Sequence, residues 1–228
     1  MYTVSQLFDL EHTLASSYLS RFKWPWEALA GIKGFILQLG PTLGPDYVET
    51  QPQVWVHKDA VVFPTAYIVP PCIIGPNTEV RHCSFIRGSV LIGADCVIGN
   101  SVELKNTIIF DNCEVPHYNY VGDSILGWHA HMGAGSITSN IKSDRNLVVV
   151  HNGNEVIETG IQKVGAMIGD WAELGCNAVC NPGTIVGRHS TIYPTCCVRG
   201  LVPENSILKN TGEIVQKEEY ADTLSSNF

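Results

Sequence analysis

Nine aliphatic residues, Val56, Val62, Ile68, Ile74, Val80, Ile86, Ile92, Ile98 and Leu104, recur every six positions without a miss, and glycine follows directly at 75, 93 and 99. Neither the 3.6-residue period of a helix nor the two-residue alternation of an ordinary strand produces that spacing. It is the mark of a β-solenoid, in which each hexad supplies one short flat side, three hexads close a triangular coil, and the repeated aliphatics stack inward. The pattern resumes at Ile168, Leu174, Cys180, Val186, Ile192 and Val198, with glycine at 169, 175 and 187. Between the two blocks it slips, with Ile109, Val115 and Val121 in one frame and Leu126 and Met132 in another. An all-β solenoid of parallel coils is expected over residues 51–205.

The flanks read differently. Residues 1–50 form a helical N-terminal segment in this reading, with helix expected over 4–39. Leu10, Leu14 and Tyr18 are spaced i, i+4, i+8 behind a possible Asp9 cap, and Pro25 opens a second stretch with Leu29, Ile32, Phe35, Ile36 and Leu39 on one face. Gly40-Pro41 ends it. Such short segments bury an apolar side against something, so they are expected to flank the solenoid, with Trp24 and Trp26 as packing anchors. Residues 143–163 interrupt the hexads, and Asn152-Gly153 between two apolar runs signals a hairpin inserted at one corner. Residues 206–228 form a tail in which 206–209 and 213–215 are expected to pair around Thr211-Gly212, with the last ten residues loose.

Composition limits the functions available. Charged residues make up only 16% of the chain while Gly (21) and Pro (12) are plentiful, as suits short strands and many turns. A net charge of −8 supplies no basic excess to displace counterions from nucleic-acid phosphates. No apolar run approaches the length of a membrane span, and Asp9 and Glu11 sit where a signal peptide needs apolar residues, so a cytoplasmic protein with eight free thiols is expected. Cys176-x3-Cys180 and Cys196-Cys197 lack zinc-site spacing and fit small apolar repeat positions.

Residues 103–140 combine the repeat with chemistry: Lys105, the cluster His117-Tyr118-Asn119-Tyr120, Gly122-Asp123 and the small-residue run Gly133-Ala134-Gly135-Ser136. The hexads resemble the left-handed parallel β-helix of the hexapeptide-repeat acyltransferases. The runs VELK (102–105), PHYNYVGD (116–123) and MGAGSITSN (132–140) look like the acetyltransferase half of the bifunctional glucosamine-1-phosphate acetyltransferase / N-acetylglucosamine-1-phosphate uridyltransferase group. The resemblance covers residues 54–140 closely and 164–200 at the level of the repeat. The Gly-rich strand–loop motif of that group's nucleotide-binding domain does not occur in the chain, so no pyrophosphorylase activity is expected from it.

The resemblance implies acetyl-CoA as acyl donor, an amino sugar phosphate or nucleotide sugar as acceptor, and a homotrimer with sites between solenoids. It implies His117 as the general base that accepts the amine proton, with Glu103 orienting the imidazole. A backbone N–H in the 133–135 run would then meet the thioester oxygen. Arg87 and Lys105, eighteen residues apart and so neighbours on adjacent coils, would hold the substrate phosphate. Tyr120 and His131 fall at sugar-contacting positions, and Ala134, Asn140 and Cys176 at cofactor-contacting positions. On the residues alone, Asp123 reads as turn chemistry, and Arg188, Arg199 and Lys209 as surface charges able to meet coenzyme A phosphates.

Three departures from the family pattern keep a second reading open. His131 replaces a sugar-binding Asn, Ile141 a Tyr and Cys176 a Ser, and the 143–163 insertion follows directly. That reading is a non-catalytic sugar-nucleotide-binding or scaffold protein. A third, a γ-carbonic-anhydrase-like metal enzyme, rests on His129 and His131. Those enzymes have an H-x4-H pair, no two histidines here are so spaced, and no metal site is expected.

Overall fold

The computed structural model describes residues 1–218; the last ten residues, expected to be loose, lie outside the described residues. The expected solenoid is present as a parallel β-helix with three faces. The first face comprises Val54–His57, Cys72–Ile74, Val90–Ile92, the second halves of Glu103–Ile109 and Tyr120–Leu126, then Ala166–Ile168, Thr184–Val186 and Leu201–Val202. The second runs from Val61–Val62 through Val97–Asn100, Glu114–His117 and His131–Met132 to Ser206–Leu208. The third runs from Tyr67–Ile68 through the first halves of the two long strands to Cys197–Val198. Ile74, Ile92, Ile109, Leu126, Ile168 and Val186 stack in register and are fully buried, as are Ile86, Leu104 and Val121 on the third face.

The frame slips have a local cause. Leu104 to Ile109 and Val121 to Leu126 each span five residues where most corners span six, and Glu103–Ile109 and Tyr120–Leu126 run unbroken around those corners; in the last coil the same corner, Val198 to Val202, spans four. Two coils are therefore one residue short, and both omissions fall at the edge between the third and first faces. At the corners, one residue per turn adopts a left-handed conformation, which Asn77, Asp95, Asn106, Asn112, Asp123, Asn177 and Asn205 enter at little steric cost.

The first face is apolar on both sides. Ile73, Leu91, Ile108, Ile125 and Met167 alternate with the inward residues and so point outward, yet none is more than 1% exposed. The N-terminal segment covers them. Helix Ile32–Leu39 packs on the first-face strands around Leu91 and Ile108, turn Pro25–Gly31 on the next strand, Phe8 against Phe110, and Leu7 beside Gly169. Full burial of each such side chain contributes about 1.5–3 kcal/mol, enough to hold the segment without a long helix.

The two helical stretches expected within 4–39 are more broken than their spacing suggests. The segment breaks into Val4–Leu7, Leu10–His12, Ser16–Leu19, Pro25–Gly31 and Ile32–Leu39, with Asp9 capping only a single turn through Glu11 N at 3.1 Å. Leu14, assigned to the apolar stripe, is 39% exposed. A flat sheet face selects which residues turn inward, and regular 3.6-residue spacing does not match it. Trp26 is buried and stacks on Trp24, as packing anchors should.

The insertion forms the expected hairpin, with Val149–Asn152 antiparallel to Glu155–Glu158, and leaves the helix where Ile141 bridges to Lys163. Ser206–Leu208 pairs antiparallel with Ile214–Gln216.

Candidate active site

The edge between the second and third faces carries the small-residue run. Backbone hydrogen bonds tie it coil to coil: Tyr118 N donates to Asn100 O at 2.9 Å, Gly135 N to His117 O at 2.9 Å, Asn177 N to Ala134 O at 2.9 Å and Thr195 N to Cys176 O at 2.9 Å. His117, Ala134 and Cys176 thus occupy successive coils of one edge. His117 and Cys176 are exposed and Ala134 half-buried. Buried Asn119 sets the turn after His117: its side-chain oxygen accepts from His117 N at 3.0 Å and its amide donates to Gly133 O at 2.8 Å. Of the four N–H groups in the small-residue run, Gly133 donates to Leu174 O, Gly135 to His117 O and Ser136 to Gly133 O, while among the described residues that of Ala134 has no acceptor.

Sequence reasoning gave Tyr118 no role of its own. It follows His117, is 68% exposed and has φ 53°, a left-handed conformation that is rare for a bulky side chain. The signal was available: it occupies the corner position at which neighbouring coils place Ser101, Gly135 and Asn177.

The third face carries the charged residues. Glu103 lies beside Tyr120 and Lys105 beside Gly122, and Arg87 N donates to Leu104 O, so Arg87 and Lys105 are neighbours on adjacent coils. Neither cation is free. Arg87 donates to Glu103 at 2.7 Å, and this partner raises the guanidinium pKa further. The Glu103 carboxylate therefore meets Arg87, and among the described residues it makes no hydrogen bond to His117. Lys105 Nζ lies 2.8 and 2.9 Å from the two oxygens of Asp123, which is only 3% exposed and also accepts from Asn106 at 2.8 Å and from Asn140. Asn140 reaches the Tyr120 hydroxyl at 3.2 Å. Burial, then the carboxylates of Asp123 and Glu103, raise the Tyr120 pKa. Asp123 is thus the centre of a buried network that the turn reading missed, and Asn106 and Asp123 occupy the left-handed positions of the two five-residue corners.

His131 stands apart on the second face, between Glu114, 3.8 Å away, and Glu173. His129 stacks on Trp171 at 3.9 Å, and its pKa is lowered by burial and then by His12. Among the described residues no three potential metal ligands gather.

The GMPPB C-terminal domain family matches residues 68–160. The bifunctional protein GlmU of Methanococcus maripaludis is 29% identical over 194 residues, covering 84% of this chain and 47% of that protein. The bifunctional sugar-1-phosphate nucleotidylyltransferase/acetyltransferase of Sulfurisphaera tokodaii is 33% identical over 153 residues, covering 67% of this chain and 38% of that protein. The chain belongs to the hexapeptide-repeat acyltransferase family. It spans about half or less of the length of these two family members. Among solved structures, a hexapeptide transferase family protein from Anaplasma phagocytophilum matches with a TM-score of 0.41 at 15% identity, covering 72% of this chain and 79% of that one. Perosamine N-acetyltransferase from Caulobacter crescentus, solved as a histidine-to-asparagine mutant with CoA and GDP-perosamine, matches with a TM-score of 0.37 at 19% identity, covering 71% and 56%.

Proposed function

We propose that this chain is an acetyl-CoA-dependent N-acetyltransferase whose acceptor is an amino sugar carrying a phosphate or nucleotide, with His117 as general base. The observation that carries this reading is the edge on which an exposed imidazole, a half-buried alanine and an exposed cysteine stack on consecutive coils beside a backbone N–H that has no acceptor among the described residues. The Sulfurisphaera relative is a nucleotidylyltransferase/acetyltransferase, which supports the reaction class. The small side chains at 133–136 and 176 leave the edge open to an extended thioester chain.

Acetyl-CoA, when bound there, supplies an activated acyl carbon. His117 takes the proton that the acceptor nitrogen sheds as the new C–N bond forms and the C–S bond breaks. The Ala134 N–H, on the same edge, would meet charge developing on the thioester oxygen. Tyr120 and Arg87, across the third face, would position the acceptor, with Arg87 exchanging Glu103 for a phosphate. Glu103 is then a switchable partner of Arg87, and any orienting effect on His117 follows that exchange. A homotrimer and a cytoplasmic setting belong to the same proposal; among the described residues no helix is long and apolar enough to cross a membrane.

A second reading, a sugar-nucleotide-binding protein without turnover, draws on the Glu103–Arg87 and Lys105–Asp123 pairs, which leave the phosphate shelf self-neutralised. The test is thiol release from acetyl-CoA with glucosamine 1-phosphate and with amino-sugar nucleotides. Release with any of them supports transfer; binding without release supports the second reading.

Cofactor placement has its own readout. Of eight free cysteines, Cys83, Cys176 and Cys197 are exposed, and burial pushes the Cys180 thiol up to about 12. Iodoacetamide should therefore label only those three in the folded protein. Coenzyme A should slow labelling at Cys176 several-fold and leave Cys83 unchanged, as read by peptide mass spectrometry. Equal slowing at both sites, or at neither, would remove Cys176 from the cofactor edge.

A further inference from the structure

The edge between the third and first faces receives one residue from each of six coils in register: Arg87, Lys105, Gly122, Ser139, Asn181 and Arg199. Its cations are unequally engaged. Arg87 and Lys105, at one end, each hold a carboxylate. Arg199, at the other end, is exposed and has no carboxylate partner among the described residues. Four coil spacings of about 4.8 Å separate it from Lys105, roughly 19 Å along the prism.

Arg199 faces a cleft that the coils alone would not make. The hairpin insertion folds back over this end of the edge and buries its own Val148 and Val150. Its first strand lies so close that a Cβ at Gly183 would come within 2.7 Å of Val149 O, and one at Gly200 within 2.8 Å of His151 O. Both glycines have positive φ, 80° and 75°, so both the conformation and the contact need glycine. Farther out, Gln162 Nε2 donates to Arg145 O at 2.8 Å and Thr159 Oγ1 to Val148 O at 2.6 Å, which brace the loop. The enclosed space is about 460 Å³, and Lys142, His151, Arg199, Ser139 and Asn181 are among its walls.

The lining selects for an anion. Its one carboxylate, Asp144, already accepts from Lys142 Nζ at 3.2 Å and from Asn146 N at 3.0 Å. A guanidinium and an imidazole remain beside it, in a chain of net charge −8, so the positive potential is local to the cleft. The volume suits a small organic molecule, and Arg presents a planar fork of donors that matches phosphate oxygens two at a time.

We propose that the cleft between the 143–163 insertion and the last coils binds a phosphate ester, with Arg199 and Lys142 contacting the phosphate and Ser139 and His151 completing its hydrogen bonds. The site is separate from the Arg87–Lys105 shelf and does not depend on acyl transfer at His117. The phosphate of a nucleoside diphosphate, of a sugar phosphate or of coenzyme A has the same chemistry, and the titrations tell them apart.

The full chain is titrated calorimetrically with uridine diphosphate, glucose 1-phosphate, coenzyme A and inorganic phosphate, at low and high salt. The expected result is binding of at least one, weakened about tenfold or more by Arg199→Ala, partly restored by Arg199→Lys, weakened by Lys142→Ala and by salt, and unchanged by His117→Ala. The compound that binds names the source of the phosphate. Binding by none of the four, or the absence in a folded protein of any binding step that Arg199→Ala weakens, overturns the proposal. So does binding abolished by His117→Ala, which would put the ligand on the other edge. A step that Arg199→Ala spares and Arg87→Ala weakens belongs to the Arg87–Lys105 shelf. Loss of turnover without loss of this binding tells against the acyltransfer reading alone.

Discussion

His117→Ala is expected to lower thiol release from acetyl-CoA by about 10²–10⁴-fold, the usual contribution of a positioned general base. The protein should remain folded. His117 is exposed, its side chain makes no hydrogen bond among the described residues, and the turn it occupies is set by Asn119, whose bonds the substitution leaves in place. Thermal unfolding of the variant should therefore match wild type within a degree or two while turnover collapses. Glu103→Gln is expected to act more mildly, because that carboxylate is engaged with Arg87 at 2.7 Å and reaches the imidazole only after an exchange of partners. Wild-type turnover by His117→Ala would assign the base elsewhere and leave the edge as a binding groove.

The second large effect is on stability. Asp123→Ala should cost about 3–5 kcal/mol, because it strands a cation and two side-chain amides that share one buried carboxylate. The value should fall toward the lower end, since Lys105 keeps 25% exposure and can recover some hydration. Asp123→Asn retains one acceptor oxygen and should cost less. Urea unfolding followed by circular dichroism measures both. If Asp123→Ala unfolds at the wild-type urea concentration, water replaces the carboxylate and the network is not structural. The same substitution releases Asn140, which otherwise fixes the Tyr120 hydroxyl, so substrate affinity should weaken along with stability.

The coil itself was legible because few folds demand an aliphatic at every sixth residue. The slips were equally visible, but their meaning was not. A missing residue in a repeat looks like decay until the two shortened corners are seen to carry Lys105, Asn106 and Asp123. The N-terminal helix was over-read from Leu10, Leu14 and Tyr18, since spacing on a helix and contact with a flat sheet select different residues. A better signal stood farther along the chain. Ile73, Leu91, Ile108, Ile125 and Met167 are apolar at outward positions, which requires a cover. Pairing among charges was out of reach: Glu103 has Arg87 on an adjacent coil and His117 just around the corner, and only coordinates show which one it holds. The cleft beside Arg199 was hidden for a similar reason, because the hairpin signal does not say which way the insertion folds.

With one wall of the prism occupied by the chain's own residues 4–43, lateral association has two walls left. Those walls meet along the ridge of His117, Ala134 and Cys176, opposite the occupied side. A second molecule lying alongside would roof that ridge, and whatever side chains it brought would arrive next to the imidazole.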